Sequence, residues 1–589
     1  METLSGIAAS GGIAIGRVQV VSQEEHIIRE ITLATPADIR RELSQFRTAL
    51  TRTRAELTRV HRSLSRHLGT DEARILESHL RLLSDVTIVG RTQEAIRREK
   101  KNAAYLFKRT VEEAVTALQG IKDKYLRDRV YEIKDVYHRV LNHLLEDFAE
   151  GADSIALDDK IVLVAHSLPP YEFIHFERGN ILGVVTEIGG FTSHFSIIAR
   201  ALDIPAVVGC EEALRHAATG RRIIVDGTKG LVILNPDRET LDRYQKTRER
   251  HREQERELLA LRDLPAVTID GKPVDLSANI ELPSEINGVL NHGCRNIGLC
   301  RTEFIFMLKQ KPPTEDEQTA IYADYLQKMK PGYVIIRTLD IGNDKRTGFM
   351  ASDDSEANPA MGFRAIRMCL EEKELFRTQL RAILRASIHG HLKLMFPMIT
   401  SLEELRRVLH FYRSVRTELA VERVPVSPHI EIGIMIEVPA AALTAGVLAR
   451  EVDFFSIGTN DLSQFVLAAD RGNKRLARLF DPLHPAILRL LQETVDAAHK
   501  NNIWVGVCGE MAGDPLSALL LLGMGVDELS MNAASVLEIK RIVRAITYDD
   551  MHDIVARALQ LETSRQIRLF LQREFKRKFS LKHKINFLF

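Results

Sequence analysis

The 589-residue chain has few cysteines, and their arrangement suggests no covalent or metal-bound framework. They are odd in number, far apart and without CxxC spacing: Cys210, Cys294, Cys300, Cys369 and Cys508. This pattern argues against a disulfide scaffold or a structural zinc site, and it fits a reducing cytosol.

Long apolar runs are also missing. No stretch of roughly eighteen apolar residues occurs, so we predict no membrane span. The N-terminus has no basic stretch before an apolar core, which argues against a signal peptide, and we expect a cytoplasmic protein. An excess of one charge is absent too, since 81 basic residues face 80 acidic ones. No global field therefore predicts nucleic-acid binding.

The apolar content is 45%, which is enough for large cores, and the length corresponds to about two to four domains. Residues 36–148 are rich in Arg, Glu, Leu and Ala with apolar residues at helical spacing, which predicts a bundle of long helices. From Gly151 onward, short β-rich runs alternate with helical pieces, as in an α/β unit. The strand predicted at 17–21 could complete its sheet, which would make the bundle an insertion. Residues 238–263 are almost all charged and predict a solvated linker helix.

From about residue 266, eight strand candidates recur with helical stretches between most of them. They are 274–280, 296–304, 333–342, the weak 362–367, 392–399, 432–439, 454–462 and 503–510. Eight strands alternating with helices over this length predict a parallel (β/α)₈ barrel.

Most of these strands are apolar until the end, where a functional side chain occurs. The residues are Asn279, Arg301 with Glu303, Arg337 with Asp340, Glu437, Asn460 with Asp461, and Cys508 with Glu510. Barrel enzymes place their active sites at the carboxyl ends of the strands. The pattern therefore predicts one site built from many strand ends.

The types of these residues indicate an anionic ligand. Arg301 and Arg337 end neighbouring strands and can hold a carboxylate or phosphate as a fork, and Arg471 could be a third such group. Ordinary salt bridges are the alternative. Glu437 and Asp461 are hard oxygen donors that suit Mg²⁺, although helix capping would explain them as well.

Two further side chains could do chemistry. Cys508 could be a nucleophile, a proton donor or a small apolar filler. His194 follows a Gly-Gly turn, and Thr192 or Ser193 can cap a helix that starts beside it. That helix start would favour an anion on the imidazole, whereas a lone histidine is more often structural.

Taken together, the motifs resemble those of phosphoenolpyruvate–protein phosphotransferases, the Enzyme I family of the bacterial phosphotransferase system. The motifs in order are GGFTSHFSIIAR, GLCRTEFIF, IIRTLDIGNDK, MFPMI, IMIEVPAA, FFSIGTNDLSQF, AADRGN and GVCGEMAGD. The resemblance covers nearly the whole chain. The barrel motifs also occur in the broader group of phosphoenolpyruvate- and pyruvate-using enzymes, but the first 150 residues are too few and too helical for an ATP-binding domain.

The resemblance implies a multidomain α/β fold. Its parts would be a phosphohistidine α/β domain (1–25 and 149–237), a helical domain that docks the acceptor HPr (26–148), a linker helix (238–265) and a (β/α)₈ barrel (266–589) that binds phosphoenolpyruvate and forms a homodimer.

The resemblance also implies individual roles. His194 would be the phosphorylated residue, and Cys508 would protonate the enolate. Phosphoenolpyruvate would be bound by Arg301, Arg337, Asn460, Asp461 and Arg471. Mg²⁺ would be held by Glu437 and Asp461.

Some positions depart from the family pattern. Phe191 and Phe195 flank His194 where other residues are common, and Asn343 replaces a frequent glycine. They leave the catalytic atoms in place but leave the acceptor open. It could serve sugar uptake or a nitrogen-type regulatory branch. Other readings are a non-catalytic sensor of phosphoenolpyruvate or pyruvate, and a barrel lyase or aldolase.

Overall fold

The computed structural model describes most of the chain, with gaps mainly in the N-terminal half. The described residues are 1–21, 28–67, 82–83, 86–119, 136–137, 139–145, 160–166, 180–189, 199, 204–283, 285–307, 311–342, 356, 358–471, 473, 475–476 and 478–579. They form two compact units, Met1–Gln254 and Glu255–Phe589.

The first unit contains an eight-stranded sheet. Its strands are β1 Glu2–Ser5, β2 Ile7–Ser10, β3 Ile13–Val21, β4 Ile161–Ala165, β5 Ile181–Thr186, β6 Ala206–Val208, β7 Arg222–Asp226 and β8 Leu231–Leu234. They lie in the order β1-β8-β7-β3-β4-β5-β6-β2. The pairs from β3 to β6 are parallel. β4 is buried along its whole length, as its unbroken apolar sequence requires.

Helices occupy the chain between β3 and β4. The described part of this stretch includes Pro36–His67, Arg91–Glu99 and Ala103–Gln119, with a π-helical turn at Val86–Gly90. Thr35 and Asp38 cap the first helix reciprocally, because each side chain accepts the other's backbone N–H, at 3.2 and 3.0 Å. Phe46 packs on Phe107 with ring centroids 5.3 Å apart. The N-terminal strands thus belong to the same sheet as β4–β8, and helices lie between them in sequence, as expected.

A short helix, Ala213–His216, lies between β6 and β7, and the charged segment forms the helix Arg238–Leu259. No helix in the described part of the chain is both long and apolar enough to cross a membrane.

The second unit is a closed barrel of eight parallel strands. The strands are β9 Asp275–Ile280, β10 Asn296–Cys300, β11 Tyr333–Arg337, β12 His391–Phe396, β13 Glu431–Ile436, β14 Phe454–Ile457, β15 Trp504–Val507 and β16 Glu528–Met531. They follow one another around the barrel in sequence order, and β16 closes it against β9. The predicted fold class is confirmed.

Helices connect and surround the strands. Their bounds are Glu285–Asn291, Glu303–Met307, Glu315–Lys328, Ala365–Glu371, Lys373–Ala386, Leu402–Val421, Pro439–Leu443, Ala445–Leu448, Thr459–Leu467, Pro485–Lys500, Pro515–Gly523, Ala533–Val543, Tyr548–Ala558 and Ser564–Phe579, with 3₁₀ turns at Pro359–Met361, Ser387–His389 and Glu510–Gly513. Aromatic packing joins two of these helices to the barrel, since Phe376 stacks on Phe411 at 5.2 Å and meets Phe396 of β12 edge-on at 6.4 Å.

The prediction of the barrel strands was wrong at one position. Residues 362–367 form no strand; they lead into the helix Ala365–Glu371, in which Ile366 and Leu370 are buried four residues apart. The missing strand is β16, where Glu528 and Ser530 are buried polar residues. Polar side chains at alternate positions deprive this strand of the apolar signal by which the others were found.

Candidate active site

The strand-end residues converge at the carboxyl end of the barrel, which we call the barrel mouth. Arg337 is the last residue of β11, and Glu437 and Cys508 directly follow β13 and β15. Arg301 directly follows β10. The backbone N–H of Cys508 donates to the carbonyl of Ile457 at the end of β14, at 3.1 Å. The parallel register thus places these side chains around one opening.

Arg337 is fixed between two carboxylates. Its Nη2 donates to Oε1 of Glu303 at 2.9 Å, and its Nη1 lies 3.0 Å from Oδ2 of Asp340. The residue is buried, with 5% of its surface exposed. Burial alone would lower its pKa, but Glu303, Asp340 and Glu437 outweigh burial and raise the pKa above the ordinary value. Arg337 is therefore a permanent cation held in one orientation.

One donor of Arg337 remains available. Among the described residues, its buried Nε has no hydrogen-bond partner. A buried N–H without a partner costs free energy that an incoming acceptor would recover. An anion at the barrel mouth is the kind of ligand that would satisfy this group.

Arg301 is more accessible, with 38% of its side chain exposed, and it pairs with Glu281. Burial, followed by the charge of Arg337, lowers its pKa. Arg471 is about half exposed, and its Nη2 lies 3.4 Å from Oδ1 of Asp461. The charge of Arg471 also lowers the pKa of Arg301, so the three arginines share one electrostatic environment. An anion between them would relieve their mutual repulsion.

The carboxylates at the mouth repel one another, as the arginines do. Glu437 is only 2% exposed, and its Oε1 accepts the backbone N–H of Met398 at 2.7 Å. Burial, together with the charges of Asp461 and Asp340, raises the pKa of Glu437 to about 8. A divalent cation would supply the charge that lets the buried Glu437 ionise beside Asp461, so the two residues suit a metal. In the described part of the chain, no group of three or more His, Cys, Asp or Glu side chains could hold a metal ion.

Asn460 is placed in the first turn of the helix Thr459–Leu467. Its Nδ2 donates to Oε1 of Glu510 at 3.2 Å, and its Oδ1 accepts the backbone N–H of Glu510 at 3.0 Å. These two bonds tie the loop after β14 to the loop that carries Cys508.

Cys508 is a buried thiol directly after β15 at the barrel mouth, with 4% of its surface exposed. Its Sγ lies 3.7 Å from the carbonyl oxygen of Ile457. Burial raises its pKa to about 11, although the Ser456 hydroxyl and Arg337 oppose the rise. The group is therefore protonated at neutral pH, which suits a proton donor better than a nucleophile.

Arg364 is a residue of the mouth that sequence reasoning missed. It is bound to Asp340 by its Nη2 at 2.7 and 2.9 Å and by its Nε at 3.1 Å, and its Nη2 lies 3.7 Å from Asp461. It lies in the segment that was interpreted as a weak strand, so no strand-end rule pointed to it. The only available signal was an arginine directly before a helix.

The remaining predicted residue is His194. It lies outside the described residues, as do Phe191, Phe195 and Asn343. Its role as a phosphoryl carrier stays a prediction.

Comparison with protein-family models defines the class of protein. The model described as "PEP-utilising enzyme, PEP-binding domain" matches residues 255–548. The models "PEP-utilising enzyme, N-terminal" and "PEP-utilising enzyme, mobile domain" match residues 5–129 and 157–230. The barrel and its mouth thus belong to an enzyme of the phosphoenolpyruvate-utilising class.

Individual relatives narrow the class to one family. The chain is 39% identical over 566 residues to the phosphoenolpyruvate-protein phosphotransferase of Staphylococcus carnosus (strain TM300), covering 96% of this chain and 98% of that protein. It is 41% identical over 574 residues to the protein of the same name from Geobacillus stearothermophilus, covering 98% of both. A solution structure titled as Enzyme I (nEIt) covers 42% of this chain and 99% of that one, at 31% identity and a TM-score of 0.36. The chain belongs to the phosphoenolpyruvate-protein phosphotransferase family.

Proposed function

We propose that this protein transfers the phosphoryl group of phosphoenolpyruvate to His194 and then to a histidine of a small HPr-like protein, releasing pyruvate. This reaction would be the first step of the phosphotransferase system for sugar uptake. The observation that carries the proposal is the barrel mouth, where arginines, two paired carboxylates and a protonated thiol surround one opening. These are the groups that an anionic phosphate ester and an enolate would require.

Substrate binding falls to the basic residues. Arg301, Arg337 and Arg471 would neutralise the carboxylate and phosphate of phosphoenolpyruvate, because guanidinium groups match both anions in geometry and charge. Asn460 and Asp461 would line the same pocket from the first turn of the helix Thr459–Leu467 that follows β14. Arg337 is fixed by Glu303 and Asp340, so its position changes little when the ligand arrives. Preorganised charge of this kind contributes most of the catalysis in phosphoryl transfer.

Glu437 and Asp461 would hold Mg²⁺. Mg²⁺ is usually bound by one or two carboxylates together with water and substrate phosphate, which matches this pair. When bound, the ion would supply positive charge near the phosphate and would favour the ionised form of Glu437.

Cys508 would complete the chemistry. As the neutral imidazole of His194 takes the phosphoryl group, an N–P bond forms and the P–O bond of the ester breaks. The oxygen keeps the electron pair as an enolate. The methylene carbon then takes the proton of the Cys508 thiol to give pyruvate, and water returns a proton to the sulfur. General acid catalysis of this kind typically contributes about 10²- to 10⁴-fold in rate.

The rest of the chain would organise the relay. Residues 1–25 and 149–237 would carry His194, residues 26–148 would dock the acceptor, and the linker at 238–265 would let His194 travel between the two sites. The barrel at 266–589 would form a homodimer, and the protein would work in the cytoplasm. Dimerisation can be checked by sedimentation of the full chain.

Labelled phosphoenolpyruvate tests the proposal directly. With Mg²⁺, the wild type should acquire an acid-labile phosphohistidine and pass the label to HPr. His194→Ala should acquire none. His166→Ala is a matched control in the same unit, because the ring of this exposed histidine bonds only to the Glu187 side chain in the hydrogen bonds described for it, and it should be labelled like the wild type. Label retained in His194→Ala would refute the assignment.

The acceptor is tested in the same assay. Labelled enzyme is mixed with HPr from a sugar-uptake system and, separately, with the HPr-like protein of a regulatory branch. Faster transfer to the first is expected. A preference for the second would reassign the chain to the regulatory branch, and failure of the wild type to release any pyruvate would favour a sensor.

A further inference from the structure

One amide side chain joins the loops that follow β10 and β11, directly beside Arg301 and Arg337. Gln379 lies on the helix Lys373–Ala386 and is 1% exposed. Its Oε1 accepts the backbone N–H of Leu339 at 3.0 Å, and its Nε2 donates to Oγ1 of Thr302 at 3.1 Å. Thr302 directly follows Arg301, and Leu339 lies two residues after Arg337.

A second bond closes the bridge between the loops. The Thr302 hydroxyl donates to the backbone carbonyl of Arg337 at 3.0 Å, and Thr302 is fully buried. Since its proton is used on Arg337, the Thr302 oxygen must accept from Gln379. The backbone N–H of Leu339 can only donate, so it requires an oxygen from Gln379. The direction of each hydrogen bond is thus determined, and only an amide satisfies both ends without titrating.

We propose that Gln379 is a positioning residue that sets the spacing between Arg301 and Arg337, and hence the affinity for the carboxylate and phosphate of phosphoenolpyruvate. This inference rests on the proposed function. Glu303, two residues after Arg301, accepts from Nη2 of Arg337 at 2.9 Å and from the backbone N–H of Asp340 at 3.0 Å, and so orients the Arg337 guanidinium from the Arg301 segment. Thr302 and Gln379 add a second link, from the Arg301 segment to the backbone of Arg337 and Leu339.

The same network provides a control. The Tyr322 hydroxyl lies 3.4 Å from Nε2 of Gln379 and donates to Oε1 of Gln318 at 3.2 Å. Tyr322 is as deeply buried as Gln379. Its hydroxyl makes no described hydrogen bond to either arginine loop. Tyr322→Phe therefore perturbs the network without breaking the bridge.

The test measures KM for phosphoenolpyruvate, kcat and the thermal midpoint for Gln379→Met, Thr302→Val, the double variant and Tyr322→Phe. Both single bridge variants should raise KM about tenfold and change kcat less than about threefold, because the arginines bind the fixed charges of the substrate before and during transfer. The double variant should be no worse than the more affected single variant, since both lose the same bridge. Tyr322→Phe should lower the thermal midpoint and leave KM unchanged.

Two outcomes would overturn this inference but leave the proposed function standing. One is equal loss of thermal stability in Gln379→Met and Tyr322→Phe with wild-type KM in both, which would make the role merely structural. The other is additive KM effects in the double variant. Hydrogen exchange at the Leu339 amide, measured without substrate, should accelerate in Gln379→Met but not in Tyr322→Phe. A wild type that neither binds nor consumes phosphoenolpyruvate would instead overturn the proposed function, and this inference with it.

Discussion

Cys508 yields a quantitative prediction because its environment fixes the ionisation of its thiol. With a pKa of about 11 in place of 9.0, the thiolate fraction at pH 8 is about 0.1%, compared with about 9% for the ordinary thiol. Only the thiolate is alkylated at a useful rate. Iodoacetamide should therefore modify Cys508 about one hundred times more slowly at pH 8 than it modifies an exposed thiol.

The pH profile separates ionisation from access. Poor access lowers the alkylation rate equally at every pH, whereas a raised pKa makes the rate climb about tenfold per pH unit up to about pH 10. The rate should be followed by mass spectrometry of the Cys508 peptide, because the other four cysteines are buried as well. Cys300 serves as the internal control in the same digest, because burial raises the pKa of its thiol as well and its alkylation should also be slow at pH 8. A rate at Cys508 that levels off near pH 9 would refute the reasoning.

The role of the thiol is tested by replacement. Cys508→Ala removes the proposed proton donor and should slow pyruvate formation by about 10²- to 10⁴-fold. Cys508→Ser keeps a hydroxyl of similar size and should retain more activity than the alanine variant. Pyruvate is measured with lactate dehydrogenase in a coupled assay. A wild-type rate in Cys508→Ala would exclude the residue as the acid.

Two further predictions concern the stability of the barrel, and the fluorescence of Trp504, the only tryptophan in the chain, reports both during urea unfolding. Glu437 has a pKa of about 8 in the folded protein and 4.5 ordinarily, so the folded state holds the proton of this carboxyl more tightly than the unfolded state does. Without metal, the protonated carboxyl therefore makes its full contribution to stability below about pH 4.5. That contribution is lost as the pH rises to about 8, by up to about 1.4 kcal/mol per pH unit. Glu437→Gln should flatten this slope, and an unchanged slope would contradict the assignment. Glu303→Ala leaves Arg337 buried with one carboxylate fewer and should lower the free energy of unfolding by about 3 kcal/mol. Glu303→Gln, which can still accept from Arg337, should cost less. Equal losses would contradict this expectation, because they would show that the hydrogen bond without the charge contributes nothing.

The barrel could be predicted from the sequence because most of its strands obey one simple rule. β13 and β15 are apolar runs that end directly before Glu437 and Cys508. In a parallel barrel the strands are buried against helices outside and side chains inside, so they lack a polar face. The change from apolar to functional residue thus marks both the end of a strand and a position at the mouth.

The strand β16, which was not predicted, breaks this rule for a physical reason that lies inside the barrel. Glu528 of β16 is buried, and its Oε1 accepts from the Tyr333 hydroxyl at 2.9 Å. Also inside the barrel, the Nζ of Lys393 lies 4.3 Å from the centroid of the Tyr333 ring and 4.2 Å from the centroid of the Trp504 ring. Such a polar interior layer is stable only through contacts across the barrel. A four-residue strand that contributes to this layer therefore has no local signature.

Arg364 and Gln379 could not be predicted for a related reason. Each works through partners 24 to 77 positions away in the sequence: Arg364 through Asp340, and Gln379 through Leu339 and Thr302. A strand-end rule finds groups that face the ligand, but not those that hold such groups in place. Residues in this supporting role become visible only when directed hydrogen bonds can be traced from one element to the next.

The electrostatics of the mouth lead to a last prediction, that anion and metal bind cooperatively. The pKa of Arg301 is lowered partly by Arg337, and the pKa of Glu437 is raised partly by Asp461. The arginines thus repel one another, and so do the carboxylates, within one opening. A bound anion relieves the repulsion between the arginines, and a bound cation relieves the repulsion between the carboxylates. An anion bound alone would face Glu437 and Asp461, and a cation bound alone would face the arginines. Phosphoenolpyruvate should therefore bind about tenfold more tightly in saturating Mg²⁺, and Mg²⁺ should gain the same factor from phosphoenolpyruvate, because coupling free energies are reciprocal. Calorimetry on His194→Ala, which should bind phosphoenolpyruvate without consuming it, measures both affinities. Equal affinities with and without the second ligand would mean that the arginines and the carboxylates act as separate sites.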